Sequence, residues 1–325
     1  MLILQRALAI IAVPVLGAAC AFSLDSSARP TEFVSNTWSV IAVDVETREV
    51  GAALATCVGL PHRVSASELA SAEQNSSTIS YSVHGIVGGD LSFELARLVS
   101  GVGVIVAQGL VDRENVDRLD RAAAQLVAGG SANSVIDAAR IDDPGSDRRQ
   151  YAVATLLPDV SNFTGSSTDD WASAQVAGSV SVQGNILVGP EVIEDALSAF
   201  GRVSSLPGAT LGDALLSALE AGSAAGGDRR CPKSQSALSA FIVVVRADDA
   251  ESIPHLWVSA PPQRMGGANP VTMLRESYDA ARRSVQATPG SDGLPPYWWT
   301  VAILASALIA LTVWAAIRRS RRVRG

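Results

Sequence analysis

The chain is almost without lysine. Lys233 is the only one among 325 residues, and arginine carries the rest of its positive charge. Histidine and cysteine are scarce, with three of each. His62, His84 and His255 are scattered, and no CxxC, HxxxH or HExxH occurs, so the sequence supports no metal site. It asks for no other cofactor. No GxSxG is present, which leaves a serine-hydrolase triad without its nucleophile turn. The glycine-rich stretch at Gly226 is followed by no GK[ST], so it is not a phosphate loop. Basic residues number 25 against 32 acidic ones, for a net charge of −7. A chain of that charge does not bind nucleic acid electrostatically. No internal repeat is visible, and nothing in the sequence indicates an oligomeric state.

The two ends stand apart from the rest. Arg6, the apolar run Ala7 to Ala19 and the small-x-small sequence Ala19-Cys20-Ala21 read as a signal peptide, residues 1–21, cut before Phe22. An uncleaved anchor is the alternative. Between Tyr297 and Ile317 there is no charged residue, and the run is long enough for a membrane helix. Tyr297, Trp298, Trp299 and Trp314 flank it as interfacial aromatics do, and five arginines follow from Arg318. The expectation is a single-pass protein of the cell membrane, with transmembrane helix 297–317, cytoplasmic tail 318–325 and an ectodomain outside the cytoplasm. A C-terminal sorting signal has the same three parts. Residues 22–35 read as a linker, 36–286 as the folded ectodomain, and 287–296 as a Pro/Gly/Ser spacer. Without Arg6 and the tail arginines, residues 22–317 hold 19 basic against 32 acidic residues, a charge of −13.

Hydrophobic period gives the elements between. Thr37–Val45 and Val50–Val58 read as strands of a hairpin, and Val102–Ala107 as a buried strand. Asn115–Ala128 and a second helix from Ser131-Ala132-Asn133 to Arg140 form a helix pair broken at Gly129-Gly130. Strands return at Gln150–Leu157 and Gln175–Val182. Helices follow from Pro190 to about Phe200 and over Leu211–Ala221. Leu238–Arg246 and His255–Ala260 read as strands, and Asn269-Pro270 opens a last helix to about Val285. Residues 60–95 give no clear period. Strand blocks alternating with helix pairs suit an α+β fold, a four-layer αββα sandwich, with a three-layer α/β fold as the alternative.

Six short stretches, in register, carry a resemblance. They are Asn36-Thr37-Trp38-Ser39-Val40-Ile41-Ala42-Val43-Asp44, Gly101-Val102-Gly103-Val104 to Gln108, Asp147-Arg148-Arg149-Gln150-Tyr151, Phe163-Thr164-Gly165, Val182-Gln183-Gly184-Asn185-Ile186-Leu187 and Gly226-Gly227-Asp228-Arg229-Arg230. Over roughly 36–285 the chain resembles the bacterial family called domain of unknown function 1028, grouped with the N-terminal-nucleophile (Ntn) hydrolases. Residues 60–95 are longer than is usual there. The resemblance implies an Ntn-hydrolase-like fold. Some members carry peptidoglycan-binding domains, which implies a cell-envelope role, and with Ntn chemistry the expected partner is a small amide or cell-envelope substrate.

An Ntn hydrolase uses the hydroxyl or thiol of its first residue, with that residue's own α-amine as base. Thr37, at the head of the first strand, is the candidate nucleophile, provided that the Asn36–Thr37 bond is cut. Ser39 follows on the same face at period two. Asn185, at a strand end, is the candidate oxyanion donor, although Gly-Asn is also a common turn pair. Asp228 and Arg229 are candidates for binding substrate, Arg229 as a carboxylate clamp, although a solvated turn with an Asp–Arg pair has the same letters. Cys57 and Cys231 remain once Cys20 leaves, an even count in an oxidising compartment, and are expected to form a disulfide; two free buried cysteines are the alternative. Two classes of function follow. One is amide hydrolysis or transfer at Thr37, and the other is a non-catalytic binding or structural module on the same scaffold.

Overall fold

Two antiparallel sheets face each other, and each carries helices on its outer side. The structure, a computed structural model, describes residues 32–35, 37–58, 95–112, 114–169, 171–249 and 254–286. One sheet runs in the order β1 (Glu32–Ser35), β5 (Gly103–Asp112), β6 (Arg149–Thr155) and β7 (Asp159–Thr164), with β4 (Ala96–Val99) also on β5. We call it sheet A. Sheet B runs β11 (Leu256–Ala260), β10 (Ser239–Arg246), β3 (Glu49–Thr56), β2 (Thr37–Asp44), β9 (Val180–Gly184) and β8 (Ser173–Ala177).

Side-chain alternation builds the layers, because successive residues of a strand point to opposite faces. From β2, Ile41 and Val43 meet Val104, Val106, Ala152 and Ala154 of sheet A in the core between the sheets. Trp38, Val40 and Ala42 point the other way. They pack on α3 (Glu191–Ser204), α4 (Leu211–Ala224) and α5 (Pro270–Gln286). On the far side of sheet A, Ile105, Tyr151 and Val153 pack on α1 (Asn115–Val127) and α2 (Ala132–Arg140). The layers are therefore helix, sheet, sheet, helix. Local signals set the helix ends. Ser131 caps α2 by accepting the Ser134 N–H at 3.2 Å, and Thr210 and Asp213 form a reciprocal capping box at α4.

Besides the single strand expected at Gln175–Val182, which is the hairpin of β8 and β9 turning at Gly178, two expectations change. Among the described residues no helix is long and apolar enough to cross a membrane, which overturns the single-pass cell-membrane reading. The longest, α5, has 17 residues with charges throughout, about 25 Å against the roughly 30 Å of a bilayer core. The runs 1–21 and 297–317, which carried that reading, lie outside the described residues, as do the spacer 287–296, the tail 318–325 and most of 60–95. The second change is at the linker. Its last four residues are strand β1, paired from Glu32↔Asp112 to Ser35↔Gly109.

Candidate functional site at one end of the sheet interface

Strand register brings three separate parts of the chain together. β2 lies between β3 and β9, with Thr37 opposite Thr56 and Trp38 opposite Gly184. Thr37 thus heads a central strand beside the end of β3, and Asn185 follows directly on the end of β9. From the third part, Asp228 bridges to Leu187 and accepts the Cys57 N–H at 3.2 Å. Three of the sequence candidates therefore converge on one end of sheet B.

Toward that end the apolar core between the sheets gives way to amides. Ser39, Gln108, Gln150, Gln183 and Asn185 are each no more than 1% exposed. Ser39 Oγ donates to Gln108 Oε1 at 2.8 Å, and Gln108 Nε2 donates to Gln150 Oε1 at 2.9 Å. Asn185 Nδ2 donates to the same oxygen at 2.8 Å. Gln150 Nε2 in turn reaches Thr164 Oγ1 at 3.0 Å and the Ser173 carbonyl at 3.3 Å. The Ser173 carbonyl can only accept, so it fixes which way the Gln150 amide faces, and Asn185 must then present its nitrogen to Gln150. Among the described residues, the Asn185 Oδ1, both side-chain polar atoms of Gln183 and the Ser181 hydroxyl are buried without a partner. Buried polar atoms are normally paired, since leaving one unmade costs about 1–3 kcal/mol. Ile186, next after Asn185, adds strain, with a β-branched side chain at φ +49°. A cavity of about 10 Å³, lined by Asn185, Gly109, Leu110, Arg148 and Thr168 among others, opens beside this group.

The glycine-rich loop has a packing reason for its letters. Gly227 has φ +58°, and a Cβ there would fall 2.7 Å from the Trp38 ring. The loop thus sits flat on the residue after Thr37. Asp228 is fully buried, and its carboxylate is bound by Arg230, not Arg229, at 2.7 Å to Nη2 and 3.1 Å to Nε. Arg230 can curl back because the Asp228 side chain also accepts its backbone N–H, at 3.0 Å, in a local turn. Arg229 is exposed, and among the described residues it is tied only by its backbone N–H to the Ile186 carbonyl at 3.0 Å. Cys57 and Cys231 form a disulfide with Cα atoms 5.8 Å apart, which fastens this loop to the end of β3.

Sequence reasoning missed Gln108, Gln150 and Gln183. Each is an amide at the parity that faces the other sheet, where the strand's other residues are apolar or small, as Ala152 and Ala154 are beside Gln150. Its neighbour Arg149 points to the opposite face of β6 and does structural work, pairing with Asp143 at 2.7 Å and Asp112 at 2.6 Å.

Fold and site together define an α+β protein of two stacked sheets with an amide-lined, partly unpartnered interior at one end. The chain belongs to the family of unknown function DUF1028, whose family model matches residues 92–265. Asn185, Asp228, Arg229 and Cys231 lie within that match; Thr37 and Cys57 lie before it. Protein SPO2555 from Silicibacter pomeroyi, a solved structure described under the same family, is similar at 24% identity and TM-score 0.53, covering 76% of this chain and 86% of that one. At that identity the likeness shows the fold. HslV from Trypanosoma brucei matches at 11% identity and TM-score 0.36, covering 64% of this chain and 99% of that one, and carries no argument here. No curated protein matches.

Proposed function

We propose that this chain is an Ntn-type hydrolase or transferase of amide bonds with Thr37 as its nucleophile. The observation that carries the reading is the register that sets Thr37 at the head of β2, beside Asn185 and the Asp228 loop. Once the Asn36–Thr37 bond is cut, the freed α-amine, with a pKa near 8, takes the proton of the threonine hydroxyl. The oxygen adds to the substrate carbonyl, the C–N bond breaks, and the amine leaves with a proton. Water then releases the acid from the ester. The second Nδ2 hydrogen of Asn185 is the donor available to an oxyanion, because the first goes to Gln150. Asp228, held by Arg230, positions the loop, and Arg229 remains for a substrate carboxylate.

One observation favours the non-catalytic module instead. Residues 32–35 form a strand of sheet A ahead of Thr37, a structural place that would be lost if the chain were cut before Thr37. N-terminal sequencing of the purified protein, with an amidase assay of wild type and Thr37→Ala, separates the two readings. We expect a chain beginning at Thr37, and a Thr37→Ala protein that keeps its circular dichroism and loses turnover. A chain that retains residues 32–36 and hydrolyses nothing would leave the binding module standing.

A further inference from the structure

Strand β1 occupies a telling place. It is the segment immediately before the Asn36–Thr37 bond, with one residue between its end and Thr37. For that bond it is the acyl side. It lies antiparallel on β5, pairing Glu32, Phe33, Val34 and Ser35 with Asp112, Val111, Leu110 and Gly109. β4 pairs with residues 103–106 of β5, so among the described strands β1 alone covers the stretch 109–112 on that side. The inner end of this stretch, Gly109, lines the cavity into which Asn185 opens. Gly109 itself has φ +89°, and a Cβ would fall 2.6 Å from the Arg148 carbonyl.

We infer that the site acts on extended polypeptides, whose acyl side lies on β5 residues Gly109–Asp112 in the place that β1 holds in the uncut chain. The inference rests on the Thr37 reading and names its substrate class. Two features carry it. The first is the chain's own example, since a segment ending one residue before Thr37 already runs as a strand toward it. The second is the chemistry of the interior. Gln183 and Asn185 offer an unpartnered N–H donor and carbonyl acceptors, all buried and uncharged. A peptide unit, neutral and both donor and acceptor, matches that set. Removing β1 would leave a row of open β5 N–H and C=O groups, the usual receptor for an added strand. Recognition through the main chain makes the length of the acyl side matter more than its side chains.

The test uses the full chain. Bonded pairs alternate in an antiparallel ladder, so either Phe33→Pro or Val34→Pro must remove a β1 bond to β5 or break its register. Hydrogen exchange at residues 109–112 should quicken in at least one of these variants, with circular dichroism unchanged. The synthetic peptide Glu-Phe-Val-Ser-Asn should then restore protection there, while Ser-Asn should not. In processed wild type, cleavage of an anilide should rise roughly tenfold or more in kcat/KM as its acyl part grows from Ser-Asn to Glu-Phe-Val-Ser-Asn, as about two added backbone bonds allow. Peptide that gives no protection at 109–112 overturns the inference, and so does a flat length series. Protection by the peptide without processing or turnover would sustain the β5 site and remove Thr37 as nucleophile, so the two failures are distinguishable.

Discussion

At the scale of single residues, the buried amides divide into those that hold the fold and those that do not. Gln150 is a hub that accepts from Gln108 and Asn185 and donates onward. Gln150→Leu strands those two donors, and we expect it to destabilise by about 2–4 kcal/mol in denaturant unfolding. Gln183 is the opposite case. Its side-chain nitrogen and oxygen are both buried and unpartnered, so Gln183→Leu should be neutral or stabilising, by about 1 kcal/mol, while weakening whatever the site binds. A clear loss of stability in Gln183→Leu would show that this amide is a structural member and not a ligand for substrate. Asp228→Asn should cost about 1–3 kcal/mol, because it loosens the Arg230 pair around a fully buried group.

Element by element, the sequence was readable where period and caps agreed. The hairpin β2–β3, the helix pair α1–α2 with its Ser131 cap, and β10 all stand within a few residues of where hydrophobic period puts them. β1 and β4 were not legible, since four residues are too few to establish a period. β7 escaped for another reason. Its sequence, Asp-Val-Ser-Asn-Phe-Thr, is half-buried throughout and lacks a clear apolar face. The site was partly legible: Asn185 and Asp228 sit in turn-like motifs, whereas Gln108 and Gln150 are visible only once two strands of sheet A are known to face β2. Arg230 pairs with Asp228 because a two-residue turn is enough to bring it back. A prediction belongs at this scale. The Cys57–Cys231 bond closes a sequence separation of 174 residues, which chain entropy values at roughly 5 kcal/mol. Reduction should lower the melting temperature markedly and quicken exchange in residues 226–231 first. A loop unaffected by reductant would mean that Trp38 packing and the Arg230 pair hold it alone.

For the molecule as a whole, acid is the condition to which stability should be sensitive. Burial alone would raise the Asp112 carboxyl, but Arg118 and Arg149 hold it below the ordinary carboxylate value. Asp213 behaves alike: burial opposes ionisation, and the Thr210 backbone and Arg282 outweigh it. A carboxyl with a lowered folded-state pKa contributes its full stability above the unfolded value and loses it as pH falls through the folded one. Melting temperature should therefore be nearly level from about pH 5 to 8 and fall below about pH 4. Asp213→Asn should make the acid limb shallower. An equally steep limb in that variant would assign the acid response to other groups.

The order of the strands also bears on how the protein is made. Apart from β1, sheet A comes from one continuous stretch, 96–164, with α1 and α2 inside it. Sheet B does not: the hairpin 37–56 finds its neighbours only in β9 and β10. At translation rates of about 5–20 residues per second, roughly ten seconds separate the hairpin's emergence from that of β9, and β10 comes later still. During that interval both outer edges of a small apolar hairpin stand open to other nascent chains. Growth temperature and expression rate should therefore govern the soluble yield of this protein more than its final stability does, and a chain stopped before β10 should aggregate through the exposed edge of β3.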